Sequence, residues 1–224
     1  MRKIDLDTYA RKDHFLHFLT MQNPLITVTS QVDITEWEKR RKQGGYPFFL
    51  SFQYAMVRAA NRIPAFRQRI LEDGIVEYEY SHPSYTVALP DGTYRYCLVH
   101  GDQSFESYLE EGRRKQAKAM QQENLAEDEE EEVLGLLFVS CVPWLSYTSI
   151  GLPLPSPTFS IPSLILGKAV EETYLALEEG KVVEKKKVTL PVTVLANHAL
   201  MDGLHLSQFY AYLVEELEGM FQEV

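Results

Sequence analysis

Close to the C-terminal end the chain reads Asn197, His198, Ala199, Leu200, Met201, Asp202, Gly203, Leu204, His205. Imidazole titrates near neutral pH, so a histidine at a loop that a substrate can reach is suited to take a proton from a hydroxyl or thiol. Asp202 and Gly203 place a carboxylate and a turn just beyond it. Taken alone, His198 reads first as a hydrogen-bonded residue capping a strand end, and the functional reading stands beside it at this point.

The elements that must hold this run are legible on either side of it. An apolar, β-rich stretch, Val188 to Ala196, precedes it, and an amphipathic helix from Leu204 to Phe221 follows. Upstream, the spacing predicts a short amphipathic helix over Arg11 to Leu19 and a strand over Leu25 to Val32. Asp33 and Glu36 carry a capping-box signature for a basic helix, Trp37 to Lys42, ended by Gly44 and Gly45. Pro47 suits the first turn of a long apolar helix, Phe48 to Ile63. Two Tyr-rich strands are expected over Val76 to Tyr80 and Tyr85 to Leu89. A Pro90-Asp91-Gly92 turn then leads back along Thr93 to Val99. A charged helix over Phe105 to Glu123, a buried strand over Leu136 to Val142, an irregular Pro153 to Pro162 segment and a hairpin turning near Gly180 complete the series. With no internal repeat and no linker, residues 1–224 read as one α/β domain, a two-layer sandwich of a mixed sheet with helices packed on it.

Composition narrows the function classes. The chain has 224 residues, enough for a sizeable core, and its thirteen Tyr and eleven Phe argue for large packed surfaces and an aromatic-walled pocket. A net charge of −10 disfavours nucleic acid as a partner. Six of the acids lie in the run Glu127 to Glu132, which reads as a surface loop and leaves only −4 elsewhere. Cys97 and Cys141 lack metal-ligand or redox spacing and read as small apolar residues in a reducing compartment. The six histidines are scattered, so no metal is expected. Met1 to Tyr9 has no apolar leader core, and no apolar stretch approaches the ~20 residues that span a bilayer. The expectation is a cytoplasmic protein with no membrane partner.

Four segments together resemble the type A chloramphenicol acetyltransferases over nearly the whole chain. Asn197, His198, Asp202 and Gly203 stand where that family has His-His-x-x-x-Asp-Gly. Arg11, Lys12, Asp13, His14, Phe15 match its N-terminal Arg-Lys-Glu-His-Phe; His82, Pro83, Tyr85, Thr86, Val87 match a His-Pro-x-Tyr-Thr-Val strand; Ser140, Pro143, Trp144 match Ser-x-x-Pro-Trp. Each is weak alone, and their common order and spacing carry the resemblance.

The resemblance implies direct acetyl transfer from acetyl-CoA, as co-substrate, to a hydroxyl of chloramphenicol or a similar small molecule. His198 would be the general base and Ser140 the donor to the tetrahedral oxyanion. Asp202 would pair with Arg11 to fix the loop, with Asn197 supporting it. Lys168 would lie near the CoA phosphate and Tyr46 beside the adenine. Phe18, Tyr94 and Tyr96 would line the acceptor pocket, and the family's sites lie between the subunits of a homotrimer. The departures are Asn197 for the first histidine, Gln22 and Pro24 near Phe18, and Ile165 where the family has a threonine holding a water. A dihydrolipoyl-type acyltransferase core and a trimeric binding protein that lost turnover are the competing readings.

Overall fold

The computed structural model describes residues 1–125, 133–153 and 155–221; the acidic run Glu127 to Glu132 lies outside them. Along the chain the elements are β1 (Arg2–Ile4), α1 (Lys12–Leu19), β2 (Leu25–Asp33), α2 (Thr35–Gly44), α3 (Phe48–Asn61), β3 (Gln68–Leu71), β4 (Gly74–Glu77), β5 (His82–Ala88) and β6 (Tyr94–Leu98). Then come α4 (Phe105–Ala119), β7 (Leu136–Cys141), β8 (Ser163–Leu166), β9 (Val170–Glu178), β10 (Lys181–Asn197) and α5 (Gly203–Gly219).

The large sheet runs β2-β10-β8-β7-β5-β6, with β9 paired to the first half of β10. β5–β7 and β7–β8 are parallel and the remaining pairs antiparallel, so the sheet is mixed as expected. Alternation along β10 sends Val192 and Val194 to the helix side, where they join Val139, Leu164 and Tyr85 against Phe52, Met56, Phe209 and Leu213 of α3 and α5. α3 is buried along almost its whole length, which is why its sequence is apolar nearly all round.

Several local expectations need correction. The Asp33–Glu36 capping box does not form: α2 has Ile34 at its N-cap, and Asp33 instead accepts from the Thr35 backbone N–H at 3.0 Å. The first Tyr-rich strand ends at Glu77, because Tyr78 and Tyr80 lie beyond the short antiparallel pairing with β3. In the second sheet, β1-β4-β3, strands β1 and β3 carry no strong local signal, and neither does β8, since each has only three or four residues. Gly45 (φ +68°) does end α2 in the left-handed conformation that glycine adopts without a Cβ clash.

Candidate active site

β10 delivers His198 to the sheet's end and two independent anchors hold it there. The His198 backbone N–H donates to the Pro24 carbonyl at 2.7 Å, tying it to the start of β2. Asn197 is fully buried, and its Nδ2 donates to the carbonyls of Pro157 (2.8 Å) and Phe159 (3.0 Å) while its Oδ1 accepts from Ala199 N–H (3.0 Å). An amide suits this point because both donors and the acceptor are used.

The His198 ring stacks on Phe18 of α1, with centroids 3.9 Å apart and planes 11° from parallel. Its Nδ1 is buried without a hydrogen-bond partner among the described residues, whereas Nε2 is not enclosed in this way. Nε2 is therefore the nitrogen offered to a reactant. α1 places Phe18 here because its one buried residue, Phe15, lies three positions earlier on the same helix face.

Beyond the histidine, Asp202 does two jobs. It caps α5, accepting from the Leu204 N–H at 3.0 Å, and closes a capping box with His205, whose Nδ1 lies 2.9 Å from Oδ1 and 3.2 Å from the Asp202 N–H. Its Oδ2 pairs with Arg11 Nη1, a contact joining residues 191 positions apart. Partial burial pushes the carboxyl pKa up, but hydrogen bonds from Arg11 and His205 outweigh it and bring it down to about 2. His205 was not among the expected site residues. The readable signal was Asp202 followed by a side chain at the third helical position, with histidine replacing the usual Glu or Gln.

The other expected residues lie elsewhere in the chain. Ser140 is partly buried near the end of β7, directly opposite Ile165 of β8, which in turn faces Thr193 of β10. His198 is five residues further along β10, so the register places the two roughly 15–20 Å apart, at opposite ends of the sheet. Tyr96 pairs with Thr86 of β5, the strand beside β7, and so shares the sheet region of Ser140. Tyr94 and Tyr96 are half-exposed and pack edge to face at 5.7 Å. Ile165 is fully buried, but hydroxyls surround it: Tyr147 donates to the Ile165 carbonyl at 3.2 Å, and Thr193 reaches Tyr147 at 3.4 Å and Thr29 at 2.7 Å.

Lys168 follows β8 at the Ser140 end, its backbone N–H donating to the Leu145 carbonyl at 2.7 Å while its side chain is exposed. Tyr46 stacks on Phe221 at 4.6 Å and packs edge-on against Phe105, which places its ring in an aromatic cluster between helix ends. The structure thus gathers His198, Asn197, Asp202, Arg11 and Phe18 at one place. It gathers Ser140, Ile165, Tyr94 and Tyr96 at another.

Comparison with known proteins supplies the context. Residues 1–214 match the family model described as chloramphenicol acetyltransferase. A chloramphenicol acetyltransferase of Bacillus pumilus is 27% identical over 223 residues, spanning 95% of this chain and 91% of the relative. One of Staphylococcus aureus is 24% identical over 99% of this chain and 96% of its own length. A solved chloramphenicol acetyltransferase superposes with a TM-score of 0.82 at 30% identity, covering 96% of this chain and 99% of the other. A solved dihydrolipoamide acetyltransferase of Azotobacter vinelandii (TM-score 0.66, 18% identity, 93% of this chain and 86% of the other) shares the fold.

Proposed function

We propose that this chain, which belongs to the chloramphenicol acetyltransferase family, transfers acetyl from acetyl-CoA to the hydroxyl of a small molecule with His198 as general base. The observation that carries this reading is the His198 ring, stacked on Phe18 with Nδ1 enclosed and Nε2 left available beside the Arg11–Asp202 pair. Nε2 takes the acceptor's proton as its oxygen attacks the thioester carbonyl, and returns it to the departing thiolate. The thioester is already activated, so no acyl-enzyme is required. Such proton transfer is worth ~10²–10⁴-fold in rate.

Ser140 is the proposed donor to the tetrahedral oxyanion, a contact worth ~3–4 kcal/mol in comparable sites. It stands in a partly buried position near the end of β7. A serine and a histidine at opposite ends of one sheet cannot serve one reacting centre. We therefore assign each site to two chains of a homotrimer, with His198 from one and Ser140 from its neighbour. Exposed apolar side chains at Trp144, Leu145, Leu175 and Leu177 supply surface for such packing. Lys168 and Tyr46 are proposed to face the phosphate and adenine of CoA, and Phe18, Tyr94, Tyr96 and Ile165 to line the acceptor pocket. The whole chain is proposed to act as one domain in the cytoplasm, which suits two cysteines, Cys97 and Cys141, that form no disulfide. No helix among the described residues is long and apolar enough to cross a membrane.

The test is thiol release from acetyl-CoA with and without chloramphenicol, run beside His198→Ala. Acceptor-dependent release that falls by ~10²–10⁴-fold in the folded variant supports the assignment. An undiminished rate in that variant removes His198 as the base. The dihydrolipoyl reading rests on shared fold at 18% identity and is the weaker one.

A further inference from the structure

Two helices supply the surroundings of His198, and one carboxylate ties their starts together. Asp202 is the N-cap of α5 and Arg11 stands at the N-cap of α1, so their ion pair joins helix start to helix start. α5 continues the chain from His198, whereas α1 carries Phe18, the ring on which His198 stacks. Little else fixes α1. It is eight residues long, buries only Phe15 and has no side-chain hydrogen bond at its own N-cap. A helix of this length is marginal by itself, so its seat on the protein depends on where Arg11 is held.

Where Arg11 is held depends in turn on how the Asp202 carboxylate is rotated. Oδ2 faces Arg11, while Oδ1 accepts from the Leu204 N–H at 3.0 Å and lies 2.9 Å from His205 Nδ1. The same ring nitrogen lies 3.2 Å from the Asp202 backbone nitrogen. With its proton on Nδ1 the ring donates to the carboxylate; with Nδ1 bare it accepts the backbone N–H. Either way the imidazole is bonded to Asp202. The side chains of His205 and Arg11 are only 19% and 16% exposed, so these bonds stand largely out of water, where they are stronger. An imidazole also turns about fewer bonds than the usual Glu or Gln at this place, and so gives up less freedom when it is fixed.

We infer that His205 is a positioning residue for acetyl transfer: bonded to Asp202, it aims that carboxylate at Arg11, and Arg11 seats α1 so that Phe18 lies flat against the His198 ring. The inference rests on the reading of His198 as the base. His205 itself touches no reactant.

The test is NMR of the histidine ring Cε1–H signals in the full chain, beside thiol-release kinetics, for His205→Ala and His205→Gln. A proton held over an aromatic face is shielded by its ring current, so the His198 signal reports the Phe18 stack directly. His198→Ala identifies that signal among the six histidines, and Phe18→Ala gives its unstacked position. In His205→Ala the signal should move most of the way to the unstacked position. There kcat should fall by about threefold to tenfold, with the KM for acetyl-CoA unchanged. His205→Gln, whose amide offers a donor and an acceptor from the usual capping-box position, should restore both readouts. A His198 signal unmoved in His205→Ala overturns the proposal, because a role in α5 stability alone lowers the unfolding midpoint and leaves the stack in place. Loss in both variants also overturns it, since the effect would then come from the bulk of the ring and not from its bond to Asp202. Absence of turnover in the unaltered protein would instead overturn the acetyl-transfer reading, and the NMR comparison would still decide whether His205 sets the stack.

Discussion

Ser140 and His198 stand at opposite ends of one sheet, two strands and five residues apart by register. The two groups proposed to act on one tetrahedral intermediate are therefore too far apart to meet within a chain. A site shared between neighbouring copies resolves the separation, and it predicts complementation. Co-folding Ser140→Ala with His198→Ala chains in equal amounts should restore activity in roughly one quarter of the sites. Each inactive parent keeps the residue that its neighbour lacks. Thiol-release rates of the separated mixed assemblies measure this, and mixtures no more active than the parents would place both residues in the same chain's site.

The Phe18 stack makes a positioning claim. Phe18→Ala should release the His198 ring and lower kcat by about tenfold, with the KM for acetyl-CoA unchanged. Phe18→Tyr should keep most of the rate, because the stacking plane is retained. A KM-against-kcat comparison for the two variants separates positioning from a change in acetyl-CoA affinity.

Asp202 gives a pH dependence of definite sign. Its carboxyl is held at about 2 against an ordinary value of 3.8, so the folded state favours the ionised form. The resulting stabilisation is fully present above about pH 4 and is lost as pH falls through 4 toward 2. After solvent screening it amounts to about 1 kcal/mol. Asp202→Asn retains a good α5 cap and removes only the charge. Denaturant midpoints should differ between wild type and variant at pH 7 and converge near pH 2.

Asn197 holds three backbone groups from a buried position. Asn197→Ala leaves the Pro157 and Phe159 carbonyls and the Ala199 N–H without this partner. The expected cost is ~2–4 kcal/mol in urea unfolding. Asn197→Asp, which has no donors to offer two carbonyls, should be at least as damaging.

Much of this molecule was legible in its sequence, for reasons that differ by element. α1, α3, α5 and β7 announce themselves through apolar spacing and turn residues within ten or so positions, since the face each buries is written in its own period. His198, Arg11 and Asp202 were legible because their order and spacing match a family, and the Arg11–Asp202 pair is formed. The failures have a common cause. Asp33 beside Glu36 satisfied a local capping pattern, yet the box formed at Asp202 and His205, where the chain's approach to α5 places both groups in reach. Strands β1, β3 and β8 are three or four residues long, and their pairing energy comes from partners that local pattern cannot name. Most consequential is register. Residue types alone nominate Ser140 and His198, but only the ladder β7-β8-β10 decides their separation, because hydrogen-bonded pairing across strands is a tertiary choice.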